Sequence, residues 1–242
     1  MMKLKTSILT GFLFLFFNII SSQNTIIIGA KEVNTETTFD LPISLNNTDA
    51  ISAIQFDINF NSAVIELATG SQLTSRVSNH TLGVSNPSPG VIRVLLYSGS
   101  NAGITGNTGD LLILKLKSKT LPGDFVLNYS NVVVSSPTSS AVTTTVQAGS
   151  IKVLGSQLNI TTTEVDFGRV PLLTPSTRTL TVQNLGNQNL VLTSASNIVP
   201  FGIQQAFPIT ITPGSSANLT LMLDTSSKGI KNMDLIFQNN DP

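Results

Sequence analysis

The chain has no cysteine, no tryptophan, one histidine and two tyrosines in 242 residues. Without cysteine it has no disulfide, no thiol nucleophile, no thiolate metal site and no acyl attachment point of a bacterial lipoprotein. Stability must therefore come from packing. The single histidine, His80 in Ser78-Asn79-His80-Thr81, excludes a three-histidine zinc site. No Gly-x-Ser-x-Gly elbow offers it a serine to activate. Charge is also scarce, at 11% of residues and a formal net charge of zero, so there is no basic field for nucleic acid. Apolar stripes of helical period are missing, and no apolar run reaches the roughly 20 residues of a membrane-spanning helix.

The carboxylates are the remaining acid–base groups. Asp57, Glu66, Asp110, Asp124 and Asp166 are scattered over strands and turns. Asp57 reads as a solvated strand position, Asp110 and Asp124 as turn residues, and Asp166 as structural in its Asp-Phe-Gly context. A glycosidase pair needs two such groups about 5 to 10 Å apart across a cleft; any two of these could meet in the folded chain, and the structural reading of each is favoured. No catalytic residue, cofactor or metal ligand is predicted. The Ser98 to Asp110 loop is roomy enough for a calcium ion, but no EF-hand spacing supports one.

What the sequence does contain is a leader followed by strand patterns. Met1 to Lys5 carries two lysines, an apolar run of about 13 residues follows from Ile8, and Ser21-Ser22-Gln23 offers small residues for cleavage. Residues 1–22 are thus expected to be a secretory signal, with a mature start near Gln23. Beyond it, Thr, Ser, Asn, Val, Leu and Ile dominate, a composition suited to pleated strands and polar turns. Ile54-Gln55-Phe56-Asp57-Ile58-Asn59-Phe60 alternates strictly, as a half-buried strand does. Shorter runs at Phe39–Leu45, Val64–Leu67, Val91–Tyr97, Leu111–Leu116, Phe125–Asn128 and Val142–Val153 are predicted strands. Asn46-Asn47-Thr48-Asp49, Asn86-Pro87-Ser88-Pro89-Gly90 and Pro122-Gly123 separate them as turns.

A boundary falls at Leu154-Gly155-Ser156-Gln157. After it, strands are predicted at Gln157–Ile160, Arg178–Val182, Leu190–Ser194, Ile209–Ile211, Asn218–Leu223 and Met233–Phe237, with loops at Leu185-Gly186-Asn187 and Pro213-Gly214-Ser215. The expected fold is all-β: a jelly-roll-like sandwich over 23–154 and a smaller immunoglobulin-like sandwich over 155–242.

Particular segments carry two resemblances. Phe39-Asp40-Leu41-Pro42-Ile43-Ser44-Leu45, Ile51 to Phe60, Gly90 to Tyr97, Gly109-Asp110-Leu111-Leu112 and Pro122-Gly123 follow in the order seen in cohesin domains, which the segment from about Asn24 to Leu154 resembles. Phe60-Asn61-Ser62 stands where that family usually has Tyr-Asp-Pro, and Ala53 and Gln55 stand where it often has polar contact residues. The second half resembles immunoglobulin-like repeats of the ASPM/SPD-2/Hydin type, through Val165-Asp166-Phe167-Gly168-Arg169-Val170, Arg178 to Asn187, Ile211 to Ser216 and Asn239-Asn240-Asp241-Pro242. In those repeats another strand follows the Asn-Asp-Pro segment, so this domain is expected to lack an edge strand.

These resemblances imply a bacterial, secreted or cell-surface binding module without catalysis. Its cohesin-like domain would dock a dockerin-like protein and the second domain would act as spacer. Carbohydrate binding is the alternative, although flat aromatic platforms for sugar are short here, with only Tyr97 and Tyr129. The asparagines of five Asn-x-Ser/Thr triplets, Asn46, Asn79, Asn128, Asn159 and Asn218, are expected to stay largely unmodified in such a source. Pleating turns Ile54, Phe56, Ile58 and Phe60 inward and Gln55, Asp57 and Asn59 outward. With Arg93, Leu95 and Tyr97 on the same outer face, the predicted partner-binding residues are Gln55, Asp57, Arg93, Leu95 and Tyr97.

Overall fold

The computed structural model describes residues 24–196 and 199–242. The expected signal peptide, residues 1–22, lies outside them. The first domain contains β1 (Asn24–Ile28), β2 (Ala30–Asn34), β3 (Thr38–Asn46), β4 (Ala53–Asn59), β5 (Ile65–Leu67), β6 (Gln72–Leu73), β7 (Thr81–Ser88), β8 (Val91–Tyr97), β9 (Asp110–Ser118), β10 (Gly123–Ser135), β11 (Thr144–Gln147) and β12 (Gly149–Leu154). One 3-10 turn, Ser75–Val77, interrupts them.

The strands form two six-stranded sheets. One runs β11-β1-β3-β9-β5 with β6 also on β9, and the other runs β2-β12-β10-β4-β8-β7. Period-2 patterning explains how they face each other: Phe39, Leu41, Ile43 and Leu45 of β3 are buried, as are Ile54, Phe56 and Ile58 of β4 and Ile92, Val94 and Leu96 of β8. Together with Leu112, Leu114 and Leu116 of β9 they fill one continuous core.

Both terminal runs of this domain change sheets. The chain leaves β1 for β2 at Gly29 and leaves β11 for β12 just before Gly149, so each run contributes to both layers. The two corners press together, since a Cβ on Gly149 would sit 2.3 Å from the Gly29 carbonyl oxygen. Only glycine permits that approach.

The second domain contains β13 (Leu158–Asn159), β14 (Ser176–Asn184), β15 (Leu190–Ala195), β16 (Phe201–Ile203), β17 (Ile209–Ile211), β18 (Ser216–Leu223) and β19 (Phe237–Asn239). A four-stranded sheet, β13-β14-β18-β16, packs on a three-stranded one, β17-β15-β19, around Phe167, Leu180, Val182, Leu190, Leu192, Ile211, Leu219 and Leu221.

Several elements differ from the sequence reading. The expected strand Val142–Val153 is two strands in different sheets. The Asn86 to Gly90 turn begins only after Ser88, because β7 is an edge strand and tolerates Pro87. The last strand is Phe237–Asn239 rather than Met233–Phe237.

Candidate functional site

Strands β10, β4, β8 and β7 present one broad outer face. Register places Ala53 opposite Tyr97, Gln55 opposite Leu95 and Asp57 opposite Arg93, and β7 continues those rows with Thr81, Gly83 and Ser85. Leu95 and Tyr97 are 37% and 41% exposed, while their inward neighbours Ile92, Val94 and Leu96 are sealed in the core. Val133 of β10 pairs with Gln55 and is also exposed. Leu95, Tyr97 and Val133 thus flank Ala53 and Gln55, with Gly83 beyond Leu95 on β7. Three apolar side chains stand in solvent on a face stiffened by four paired strands.

Asp57 corrects the expectation of a solvated position: it is only 1% exposed. Its Oδ1 accepts from Arg93 Nε at 2.8 Å, and its Oδ2 accepts from Arg93 Nη2 at 2.8 Å and from Asn131 Nδ2 at 2.7 Å. Alternation had put Asp57 on the correct side of the sheet. Depth came from its neighbours, whose side chains lie over it. Asn131 reaches the carboxylate because the ladder between β10 and β4 slips between Ser130 and Val133, leaving Asn131 at φ 53°. Asparagine tolerates that left-handed geometry, and a bulge re-aims the side chain it carries. The Arg93 guanidinium holds the Asp57 carboxyl below its usual value, against the opposing effect of burial. The charges of the pair cancel, so this part of the face carries no net charge. Asn131 and Val133 were not among the predicted site residues. The only hint of the bulge was an asparagine inside a β-branched run, Asn131-Val132-Val133-Val134.

Two other candidates resolve into structure. Arg76, in the 3-10 turn, fills the loop that looked roomy enough for calcium. Its guanidinium donates to the carbonyl oxygens of Thr105, Leu45, Gly109 and Gly106 and to Asn47 Oδ1, at 2.7 to 2.9 Å. Glu66 pairs with Lys119 at 3.6 Å, away from the face described. Among the described residues no three His, Asp or Glu side chains converge as metal ligands.

His80 is buried at 8% exposure, and neither ring nitrogen makes a hydrogen bond. Burial pushes its imidazole below the ordinary 6.5, outweighing the nearby carbonyls of Ser52 and Ala102. Stability should therefore fall in two steps on acidification. Above pH 6.5 both folded and unfolded His80 are neutral and contribute nothing. Below it the unfolded chain takes up a proton that the folded chain refuses, and stability drops. Asp57 acts lower: its contribution is complete above 3.8 and is lost as pH falls through its depressed folded value. Denaturant titrations between pH 3 and 8 should show both steps. His80→Leu should abolish the first alone, and Arg93→Ala should abolish the second, because without the guanidinium burial no longer lets the Asp57 carboxyl stay below 3.8. A parent whose stability is flat from pH 7 to 5 would contradict the assignment to His80.

Comparison with known proteins follows the same division of the chain. No curated protein matches at a significant level. Among solved structures, the complex of CaDoc0917 with CaCohA2, a protein of Clostridium acetobutylicum, gives a TM-score of 0.50 at 17% identity, covering 54% of this chain and 99% of that one. A non-cellulosomal cohesin from the archaeon Archaeoglobus fulgidus gives 0.48 at 19%, over 55% and 92%. The sixth cohesin of scaffoldin B from Acetivibrio cellulolyticus, solved with a Cel5 dockerin, gives 0.49 at 18%, over 55% and 99%. At such identities the likeness is one of fold. Residues 156–242 match the model of the HYDIN/CFA65/VesB-like, Ig-like domain. Residues 24–153, more than half of the chain, match the model of the cohesin domain, and the chain therefore belongs to the cohesin family.

Proposed function

We propose that this chain is an exported, non-catalytic docking protein. The outer face of β10-β4-β8-β7 captures a dockerin-like module, and the immunoglobulin-like domain serves as spacer. The observation that carries this reading is the exposed apolar centre of Leu95, Tyr97 and Val133 beside the neutralised Asp57–Arg93 pair. Apolar centres with polar surrounds are the usual anatomy of protein interfaces. Membership of the cohesin family and the cohesin structures solved with dockerins point to the same kind of partner. Export rests on the basic and apolar N-terminal pattern of residues 1–22. No helix among the described residues is long and apolar enough to cross a membrane.

The test is capture of purified dockerin modules by the parent and by the double variant Leu95→Ala/Tyr97→Ala. The variant should weaken capture by about 2 kcal/mol, roughly thirtyfold, the scale of a hot-spot loss. Its fold should survive, because both side chains stand outside the core. A double variant that binds as well as the parent, or that unfolds, would show the surface to be wrongly placed. Binding to a polysaccharide array with no dockerin capture would favour the carbohydrate reading instead.

A further inference from the structure

The two domains meet through a very short stretch of chain. β12 ends at Leu154 and β13 begins at Leu158, leaving Gly155-Ser156-Gln157 as the only connection. A linker of this composition, read as sequence, suggests a swivel. Its contacts say otherwise.

Gly155 is held from both sides. Toward the first domain, a Cβ at this position would lie 2.9 Å from Thr35 Cγ2 and 3.5 Å from Pro122 Cβ, so the backbone rests directly on that domain. Toward the second domain, its N–H donates to Asn187 Oδ1 at 3.0 Å, and its carbonyl accepts from the N–H groups of Asn187 and Gln188 at 3.0 and 3.1 Å. Asn187 then spans the boundary, its Nδ2 donating to the carbonyl of Val153 on β12 at 2.9 Å. Leu185 N–H closes the clamp on the Gln157 carbonyl at 2.8 Å.

The clamp requires a glycine opposite. A Cβ on Gly186 would lie 2.4 Å from the Gly155 oxygen and 2.7 Å from both the Gln157 nitrogen and the Ser156 carbonyl carbon. All three neighbours are backbone, which cannot rotate aside as a side chain can. The connector is also tied at its far end, where Ser156 Oγ donates to the Asn240 carbonyl at 2.9 Å and Leu158 N–H to Asp241 Oδ2 at 2.9 Å. Every residue from Gly155 to Leu158 is thus bonded to the second domain, and Gly155 is wedged against the first.

We infer that the Asn184–Gln188 loop locks the connector, so that the two sandwiches are held as one rigid arm rather than joined by a flexible tether. Fixing the backbone at Gly155 removes the φ/ψ freedom a swivel would need, and the cost in chain entropy is offset by six hydrogen bonds from the loop, counting Gln157 N–H to Asn184 Oδ1, and by the close glycine contact. The second domain then sets the direction in which the first domain's outer face points. The rigidity is independent of what that face binds.

The absence of cysteine makes the test direct. Thr81→Cys on β7 and Thr179→Cys on β14, both exposed strand positions, would be the only thiols of the full chain and accept one spin label each. Pulsed electron–electron double resonance on the labelled parent should give a single narrow distance distribution. Adding Asn187→Ala, which deletes the two side-chain bonds across the boundary without adding bulk, should broaden it at least twofold. Gly186→Val should broaden it further, with circular dichroism confirming that both sandwiches remain folded. A broad distribution in the parent overturns the inference, and so does an Asn187→Ala distribution as narrow as the parent's.

Discussion

Replacing Asn184 with alanine is expected to lower the stability of the second domain by about 4 kcal/mol. Asn184 is fully buried, and its amide is saturated. Nδ2 donates to the carbonyls of Gln188 and Ile211 at 2.7 and 3.0 Å, and Oδ1 accepts from the N–H groups of Gln157 and Gly186 at 3.2 and 2.9 Å. Alanine strands four backbone groups at once. Each buried group left without a partner costs about 1 to 3 kcal/mol, with some relief where water enters the vacated space. Among the described residues eight buried apolar side chains form this domain's core, so a loss of that size approaches what a small domain holds in reserve. Asn184→Asp should fare no better, because a carboxylate cannot donate to the Gln188 and Ile211 carbonyls. Chemical denaturation should show the second domain's transition collapsing toward zero denaturant while the first domain's barely moves. A cost under about 1 kcal/mol would mean that the hub is not the structural centre its geometry suggests.

The other large effect falls on Arg76. Arg76→Ala should destabilise the first domain by about 3 kcal/mol, since hydrogen bonds to a charged group contribute about 1.5 to 3 kcal/mol each and part of the loss is recovered as exposed acceptors bind water. Five acceptors from three stretches of chain, Leu45–Asn47, Thr105–Gly106 and Gly109, converge on one guanidinium. Arg76→Lys should recover less than half of the loss. An ammonium is a point donor with three hydrogens, whereas the planar fork reaches acceptors on several sides. Thermal denaturation of the three proteins measures the series. Equal stability of the lysine and arginine forms would show that charge alone, not the fork, organises the loop.

How far the fold could be read from sequence depended on whether a rule acts within one strand or between distant ones. Ile54 to Phe60 declared itself because one side of β4 lies on the core and the other does not, so alternation and burial coincide. The same rule placed Leu95 and Tyr97 on the outer side of β8. It failed at Phe201–Ile203, where three residues are too few to show a period, and at Thr81–Ser88, where Asn-Pro-Ser-Pro-Gly looks like a turn until its edge position is known.

The site itself was only half legible, for a related reason. Asp57 was assigned to the right face but to the wrong depth, because its burial is produced by Arg93, 36 positions away, and Asn131, 74 positions away. Asn131 reaches it only through a bulge, and a bulge is a disagreement between two strands that neither strand's sequence displays. Arg76 has no distinguishing sequence context at all. Its role exists only because folding brings three loops to one point.

The central claim, that the outer face of β10-β4-β8-β7 is the docking surface, is tested most directly by mapping amide and side-chain chemical shifts of the labelled chain as a captured dockerin module is titrated in. Perturbations should cluster on Gln55, Arg93, Leu95, Tyr97 and Val133, with the β1-β3-β9 sheet and the second domain unmoved. Perturbations centred on that opposite sheet or on residues 156–242, with Leu95 and Tyr97 silent, would contradict it.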